Sequence, residues 1–249
     1  MFRQSIIISV FSALNSALSL LTQVIIAQKF GVDEVVKFGR EMGISSWGDS
    51  SRYGISITLG AAEVTMLDLS TAYGVIANKG ERVDLDPILQ IKDTYGKIIQ
   101  EKKVVPLRVV DPGVAYIVSD ILADDKARSL SFGPNSPLVI PNKKVSVKTG
   151  TTDNKRDNWT IGFTPDTVVV TWVGNNDNTP LSQALASGIT GAAPMWNRII
   201  SSLVKDKEII DEKPSNVVSK TCHGYIANFI IGTEVIGCKY FLPSPTLSK

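Results

Sequence analysis

Between Ser5 and Gln28 the chain carries no charged residue. As an α-helix those 24 positions would reach ~36 Å at ~1.5 Å per residue, against a hydrocarbon core of ~30 Å. Arg3 precedes the run and Lys29 follows it. Its polar members, Ser5, Ser9, Ser12, Ser16, Ser19 and Gln23, recur at steps of four and three. That spacing lays a small, uncharged polar stripe along one helix face, with Ile, Leu, Val and Phe opposite. Small residues permit close helix contact and interhelical hydrogen bonds, so the stripe suits a span within a bundle better than a lone anchor. A helix buried in a soluble core and a secretory signal are the alternatives, and no small-residue cleavage site follows the run cleanly. The reading carried forward is one continuous membrane-spanning helix over 5–28, mostly detached from the body that follows.

Composition removes several classes of function. Twenty-six basic residues stand against 24 acidic ones, and no basic block breaks the balance, so nothing argues for a nucleic-acid partner. One His and two Cys leave too few ligands for a protein-bound zinc site. No metal and no cofactor is expected. Any catalysis would move protons with Lys, Ser or carboxylates.

The rest of the chain alternates helical and strand patterns. Residues 32–44 read as a helix with Val35, Val36, Phe38 and Met42 apolar and Gly43 as its stop. Residues 45–62 are a Gly- and Ser-rich loop. Thr65 is placed to cap a helix, with Asp68 in a box-like position and Met66, Leu69, Tyr73 and Ile76 on its inner face; Gly80 closes it. Ile88–Ile91 and Lys97–Ile99 form a hairpin around Tyr95-Gly96. Asp111-Pro112 opens a helix with Val114, Ile117, Ile121 and Leu122 as core face. Lys144–Thr149, Trp159–Phe163 and Val168–Val173 read as three strands, and Pro194 starts a helix carrying Trp196, Ile199, Ile200 and Leu203. A meander flanked by helices implies an α+β class with an antiparallel sheet. After Lys205 the charges crowd to Lys213, and Cys222 and Cys238 follow in a tail where they either bridge or stay free; His223 is read as incidental.

The informative motif is Lys148-Thr149-Gly150-Thr151-Thr152, at the end of an apolar strand. An ammonium at Lys148 offers positive field to a ligand carboxylate and can assist proton transfer. A hydroxyl at Thr149 can hydrogen-bond the same carboxylate. Gly150 leaves room for a ligand backbone to pair along the strand, and the Thr151 N–H can point at a developing oxyanion. A plain strand end followed by a polar Gly turn fits the five residues equally well. Ion pumps with a similar stretch need an Asp before the Lys, where this chain has Val147, and no Walker A loop occurs.

The text around the motif is more specific. Val147 to Thr152, Arg156-Asp157-Asn158-Trp159, Gly162-Phe163-Thr164-Pro165, Trp172 to Asn178 and Gly191 to Trp196 together resemble the transpeptidase domain of class A penicillin-binding proteins. Tyr53 to Gly60 with Glu63-Val64-Thr65 resembles the same family's segment before its long helix. The resemblance runs from about Gly31 to Leu203. It implies a partial serine β-lactamase-like fold, a D,D-transpeptidase function in peptidoglycan cross-linking, and stem peptides or β-lactams as ligands. It also implies a substrate-binding role for Lys148, Thr149, Gly150, Thr151 and Thr152, with Lys148 as catalytic residue, and a cell-membrane location with the domain on the extracytoplasmic side. The stretch Arg3–Gly31 resembles the first span of flippases for lipid-linked cell-wall precursors.

The family's set is Ser-x-x-Lys, a Ser-x-Asn-type element and Lys-Thr-Gly. Here the one Ser-x-x-Lys is Ser202-Leu203-Val204-Lys205, downstream of the motif and on the wrong helix, and no Ser-x-Asn occurs. Aligned to the family's second-motif helix, the N-terminal run puts Ala17-Leu18-Ser19 at that triplet. Without the first serine no acyl-enzyme forms. The expected organisation is a hydrophobic helix over 1–31, a truncated transpeptidase-like domain over 32–205 and a tail over 206–249, with a junction near 29–34. A non-catalytic envelope binding or scaffold protein, or a gene-fusion fragment, is the rival.

Overall fold

The computed structural model describes residues 29–182 and 187–240. The membrane helix expected over 5–28 lies outside the described residues. Among those that are described, no helix is long and apolar enough to cross a membrane. Two compact units divide between Asp68 and Leu69.

In the first unit, helix α1 is described over 29–41. It stops where Gly43 turns to φ +103°, with the Ile44 N–H reaching back to the Gly39 carbonyl at 2.9 Å. Val36 and Met42 are buried as expected, but Phe38 stays half exposed. Gly39 lies flat under the Trp47 ring, where a Cβ would come within 2.4 Å of two ring carbons. Two short 3-10 turns, Ser50–Arg52 and Ile55–Leu59, fill the Gly/Ser-rich loop. Thr65 caps the next helix, its hydroxyl accepting the Asp68 N–H at 3.0 Å. The box does not close: the Asp68 carboxylate accepts from Ser45 Oγ and Ser46 N at 2.8 and 2.9 Å instead.

That helix, α2 (Met66–Ala77), runs into the second unit. Thr71, Ala72, Val75 and Ala77 are buried, whereas Met66, expected on the inner face, is exposed. Gly80 ends it with φ +90° and a bond from its N–H to the Val75 carbonyl at 2.7 Å, a left-handed helix stop. Strand β1 (Glu81–Arg82) pairs antiparallel with β4 (Leu107–Arg108). Between them β2 (Gln90–Lys92) and β3 (Ile98–Glu101) make the hairpin, turning on Asp93, whose carboxylate accepts from the Tyr95 and Lys97 N–H groups.

Helix α3 (Pro112–Leu122) is capped by Asp111, which accepts from the Gly113 and Val114 N–H groups. Its core face differs from the expected one. Gly113, Ala115, Tyr116 and Ser119 are buried, while Val114 and Ile121 are exposed. Neighbouring chain approaches so closely that bulky aliphatics do not fit: a Cβ on Gly113 would lie 2.6 Å from Ile230 Cδ1. A short helix α4 (Asp125–Phe132), beyond the elements expected from the sequence, follows.

The central sheet is β5 (Ser146–Thr151), β6 (Asp157–Thr164) and β7 (Thr167–Gly174), consecutive and antiparallel as expected. Val147, Gly162 and Val169 form one cross-strand row. On it sits helix α5 (Ala192–Val204), through Ala193, Trp196, Ile200 and Val204, all essentially inaccessible, with Leu138, Ile140 and Val145 completing the cluster. Ile199 and Leu203, expected on this face, are 41% and 47% exposed. The helix is rotated because Trp196 seats where Gly162 offers no side chain; a Cβ there would come within 2.2 Å of the indole. On the opposite sheet face Phe163 meets Tyr73 of α2 edge-on, and the Ser146 hydroxyl donates to the Ser119 carbonyl of α3 at 2.7 Å.

Beyond α5, β8 (Val217–Cys222) and β9 (Tyr225–Ile230) form a second hairpin, followed by α6 (Glu234–Tyr240). Cys222 and Cys238 are bridged. The His223 ring nitrogen Nε2 lies 3.1 Å from the Cys238 carbonyl oxygen.

Candidate functional site at the β5 edge

Within the three-stranded sheet β5 is an edge strand, paired on one side with β6. Successive side chains of a strand alternate faces. Ser146, Lys148 and Gly150 therefore share the face that meets α3, and Val147, Thr149 and Thr151 share the face that carries α5. The structure thus brings Thr149 and Thr151 together and sets Lys148 on the other side of the strand plane.

Lys148 is exposed by area, and its ammonium donates to the Thr149 carbonyl at 2.6 Å. Protein around the side chain still displaces enough water to lower its pKa from the usual lysine value. It thus presents a cation at the strand edge with no carboxylate paired to it in any of the salt bridges among the described residues.

The other face is prepared by residues the motif does not include. Thr149, Thr160 and Thr171 form a cross-strand row, and Thr160 and Thr171 are buried. The Thr160 hydroxyl donates to the Gly188 carbonyl at 3.3 Å, and the Thr171 hydroxyl lies 3.1 Å from the Ala192 carbonyl and 3.2 Å from that of Thr160. Residues 187–192 therefore lie down on this end of the sheet. The Gly188 N–H donates to Thr151 Oγ1 at 3.0 Å. Gly188 has no room for a side chain: a Cβ would stand 3.0 Å from the Trp159 carbonyl oxygen and 3.1 Å from that of Gly150.

Thr152 has a structural partner. Its hydroxyl donates to Asp157 Oδ2 at 2.9 Å and accepts the Asp157 N–H at 2.8 Å, while its own N–H reaches the Asp157 carbonyl at 3.1 Å. Trp172 Nε1 donates to the other Asp157 oxygen at 2.9 Å. One carboxylate so ties the loop after the motif to β7. Asn154 and Lys155 take left-handed backbone angles in that loop, and Arg156 donates to the Asn178 carbonyl. Asp157, Trp172 and Gly188 were not among the expected site residues. The first two lie in quoted text flanking the motif, but the role of Gly188 depends on a contact 38 residues from Gly150 and has no local signal. Ser202 sits exposed in the last turn of α5.

Chemically, the strand offers one cation, two threonine hydroxyls and a backbone edge on which no strand pairs among the described residues. That set can hold an extended ligand ending in a carboxylate. It includes no activated nucleophile.

Residues 9–201 match the model of the penicillin-binding protein transpeptidase domain. The chain is similar to penicillin-binding protein 1A of Aquifex aeolicus, 28% identical over 219 residues, covering 83% of this chain and 29% of the relative. It is also similar to penicillin-binding protein 1A of Neisseria gonorrhoeae, 31% identical over 180 residues, covering 69% of this chain and 22% of the relative. The chain thus spans under a third of the length of these relatives. In fold it resembles penicillin-binding protein 1A from Haemophilus influenzae, with a TM-score of 0.73 at 21% identity, over 86% of this chain and 38% of that one. The PonA1 protein of Mycobacterium tuberculosis in complex with penicillin V superposes with a TM-score of 0.58 at 20% identity, over 76% and 53% of the two chains.

Proposed function

Since the chain belongs to the penicillin-binding protein transpeptidase family, we propose that its β5 edge binds the carboxylate end of a peptidoglycan stem peptide, or of a β-lactam. The observation that carries this is the edge strand itself: Lys148 without a carboxylate partner among the described residues, and Thr149 and Thr151 side by side on a prepared seat. The ammonium supplies attraction to the acid, the hydroxyls supply directed donors, and the open strand edge supplies backbone pairing. In the family's reaction an acyl-enzyme on serine is resolved by an amine of a neighbouring stem peptide. The 249 residues as they stand hold no Ser-x-x-Lys upstream of Lys148. Their own chemistry stops at binding.

Two measurements test the reading. Benzylpenicillin added to the isotopically labelled chain should shift backbone resonances of Lys148–Thr151, and Lys148→Ala should abolish those shifts. Fluorescent penicillin should leave no covalent band on a denaturing gel. Unchanged resonances at millimolar ligand would remove the binding proposal, and a stable band would remove the non-acylating one. A non-catalytic envelope binding protein is the second reading, favoured by the missing serine.

The extracytoplasmic side is the proposed location, supported by the bridged Cys222 and Cys238, since disulfides persist in oxidising compartments. The family match opens at residue 9 and crosses the expected junction near 29–34. That favours residues 9–28 as part of the transpeptidase-domain sequence over a separate flippase-like span. Alkaline extraction of membranes discriminates: retention in the pellet supports the span, and release supports the domain reading.

A further inference from the structure

Helix α3 is gripped at both ends by asparagines from the β8–β9 hairpin, beyond the residues the family match covers. At its start Asn216 Nδ2 lies 2.8 and 3.0 Å from the two oxygens of Asp111, the capping carboxylate. Nine residues on, about 13 Å along a helix, Asn228 Nδ2 donates to Asp120 Oδ2 at 2.8 Å. Between the grips Gly113 lies flush against Ile230, Asn216 and Val217, each within 2.8 Å of where a Cβ would stand.

The second grip continues into the site strand. The other oxygen of Asp120 accepts from Lys144 Nζ at 2.8 Å, which also lies 3.5 Å from Asp211 and over the Tyr116 ring at 5.4 Å. Lys144, Ser146 and Lys148 share a period of two. Lys144 is tied to Asp120, Ser146 to the Ser119 carbonyl, and Lys148 is left at the open edge.

We propose that the C-terminal hairpin is a two-point clamp that holds α3 beneath β5, with Asn228, Asp120 and Lys144 as positioning residues that set where Lys148 stands. The proposal rests on reading β5 as the ligand strand. Its physical basis is the divided Asp120 carboxylate. With one oxygen held by Asn228 and the other by Lys144, the carboxylate cannot rotate without breaking a bond on each side. Removing the amide frees it, and with it the segment leading into β5. The Lys144 ammonium loses hydration here, and Asp120, together with Tyr116 and Asp211, more than compensates, leaving its pKa raised.

The test is hydrogen exchange on the full chain, with a benzylpenicillin titration alongside. Asn228→Ala should raise exchange tenfold or more at amides 119–122 and 146–149, and leave the 164–167 turn unchanged. Lys144→Met should reproduce the effect at 146–149 with β8 and β9 still protected, and Lys144→Arg should return it to the wild-type rate. Where wild type binds benzylpenicillin, both disruptive variants should weaken it threefold or more. Unchanged exchange at 146–149 in both disruptive variants would overturn the clamp, as would a uniform rise that includes 164–167. If the exchange effects appear but wild type binds no benzylpenicillin, the clamp stands and the ligand reading of β5 fails.

Discussion

Gly162→Ala isolates the contact that sets the register of α5 on the sheet. The added Cβ would lie 2.2 Å from Trp196 Cζ2, 2.6 Å from Cε2 and 2.8 Å from Nε1, where ordinary contact begins near 3.4 Å. More than 1 Å of overlap must be relieved, and the ring has no free direction. Trp196 is wholly buried among Val147, Val169, Ile200 and Leu138. Overpacking of this kind costs ~1–3 kcal/mol, occasionally more. Replacing a strand glycine returns ~0.5–1 kcal/mol of backbone entropy. The net expectation is a loss of ~2 kcal/mol, read by urea denaturation followed by circular dichroism. Trp196→Leu removes the whole indole ring and with it all three atoms that clash, including an N–H that is buried without a partner among the described residues. In that background Gly162→Ala should cost under ~0.5 kcal/mol, so the cycle should show a coupling of ~1.5–2 kcal/mol. Equal costs in the two backgrounds would refute the argument.

Two glycines of α2 and its end should respond in opposite directions. Gly74→Ala meets nothing within 4 Å and should stabilise by ~0.5–1 kcal/mol, measured as a higher urea midpoint. Gly80→Ala places a Cβ 2.0 Å from the Val110 carbonyl oxygen at φ +90° and should destabilise by ~2 kcal/mol or more. Asn158→Ala deletes a fully buried amide with no partner on either atom among the described residues and should raise stability by ~1 kcal/mol; a loss above that size would point to a bound water holding it. The hydrogen bond from Lys207, with help from the Thr164 hydroxyl, lowers the Asp166 pKa from 3.8 to about 2. Its contribution is therefore full above pH 3.8 and fades as the pH falls towards about 2. Asp166→Asn should lower stability at pH 7 by under ~1 kcal/mol, the exposure of the pair keeping the loss small, and by nothing near pH 2, so that its acid unfolding is flatter by that same amount.

Strand positions were legible because their signal is local. Val147, Ile161 and Phe163 alternate with polar residues or glycine, Val168–Val170 is a β-branched run, and Thr164-Pro165-Asp166 marks the turn, where the Thr164 hydroxyl donates to Asp166 at 2.7 Å. Helix caps were legible for the same reason at Thr65, Asp111 and Gly80. The inner faces of the helices were legible only in part: Trp196 and Ile200 on α5 and Val36 and Met42 on α1 are buried as expected, and others are not. Choosing the largest aliphatics selected Val114 and Ile121 on α3 and Ile199 and Leu203 on α5, all four at least 41% exposed. The true faces are built on Gly113, Ala115 and Ser119, and on Ala193 with Trp196. Close approach of chain to chain selects small residues, and which side comes close is decided by a partner far away in sequence.

The candidate site divides along the same line. Lys148-Thr149-Gly150 announces itself as text, and the sheet edge it occupies follows from strand order. What makes the edge usable is distant: Thr160 and Thr171 receive the 187–192 turn, Asp157 locks the following loop to Trp172, and Asp120 anchors Lys144. None of these residues belongs to the Lys148–Thr152 motif, and each holds a segment whose displacement would move Lys148 or Thr151. A side chain two residues away on a strand is ~6.6 Å distant and on the same face, so an anchor at Ser146 constrains Lys148 more directly than any contact across the sheet. The motif therefore names the groups presented at the edge, while in the proposed clamp the position of its cation depends on a serine, a lysine and an aspartate that no motif names.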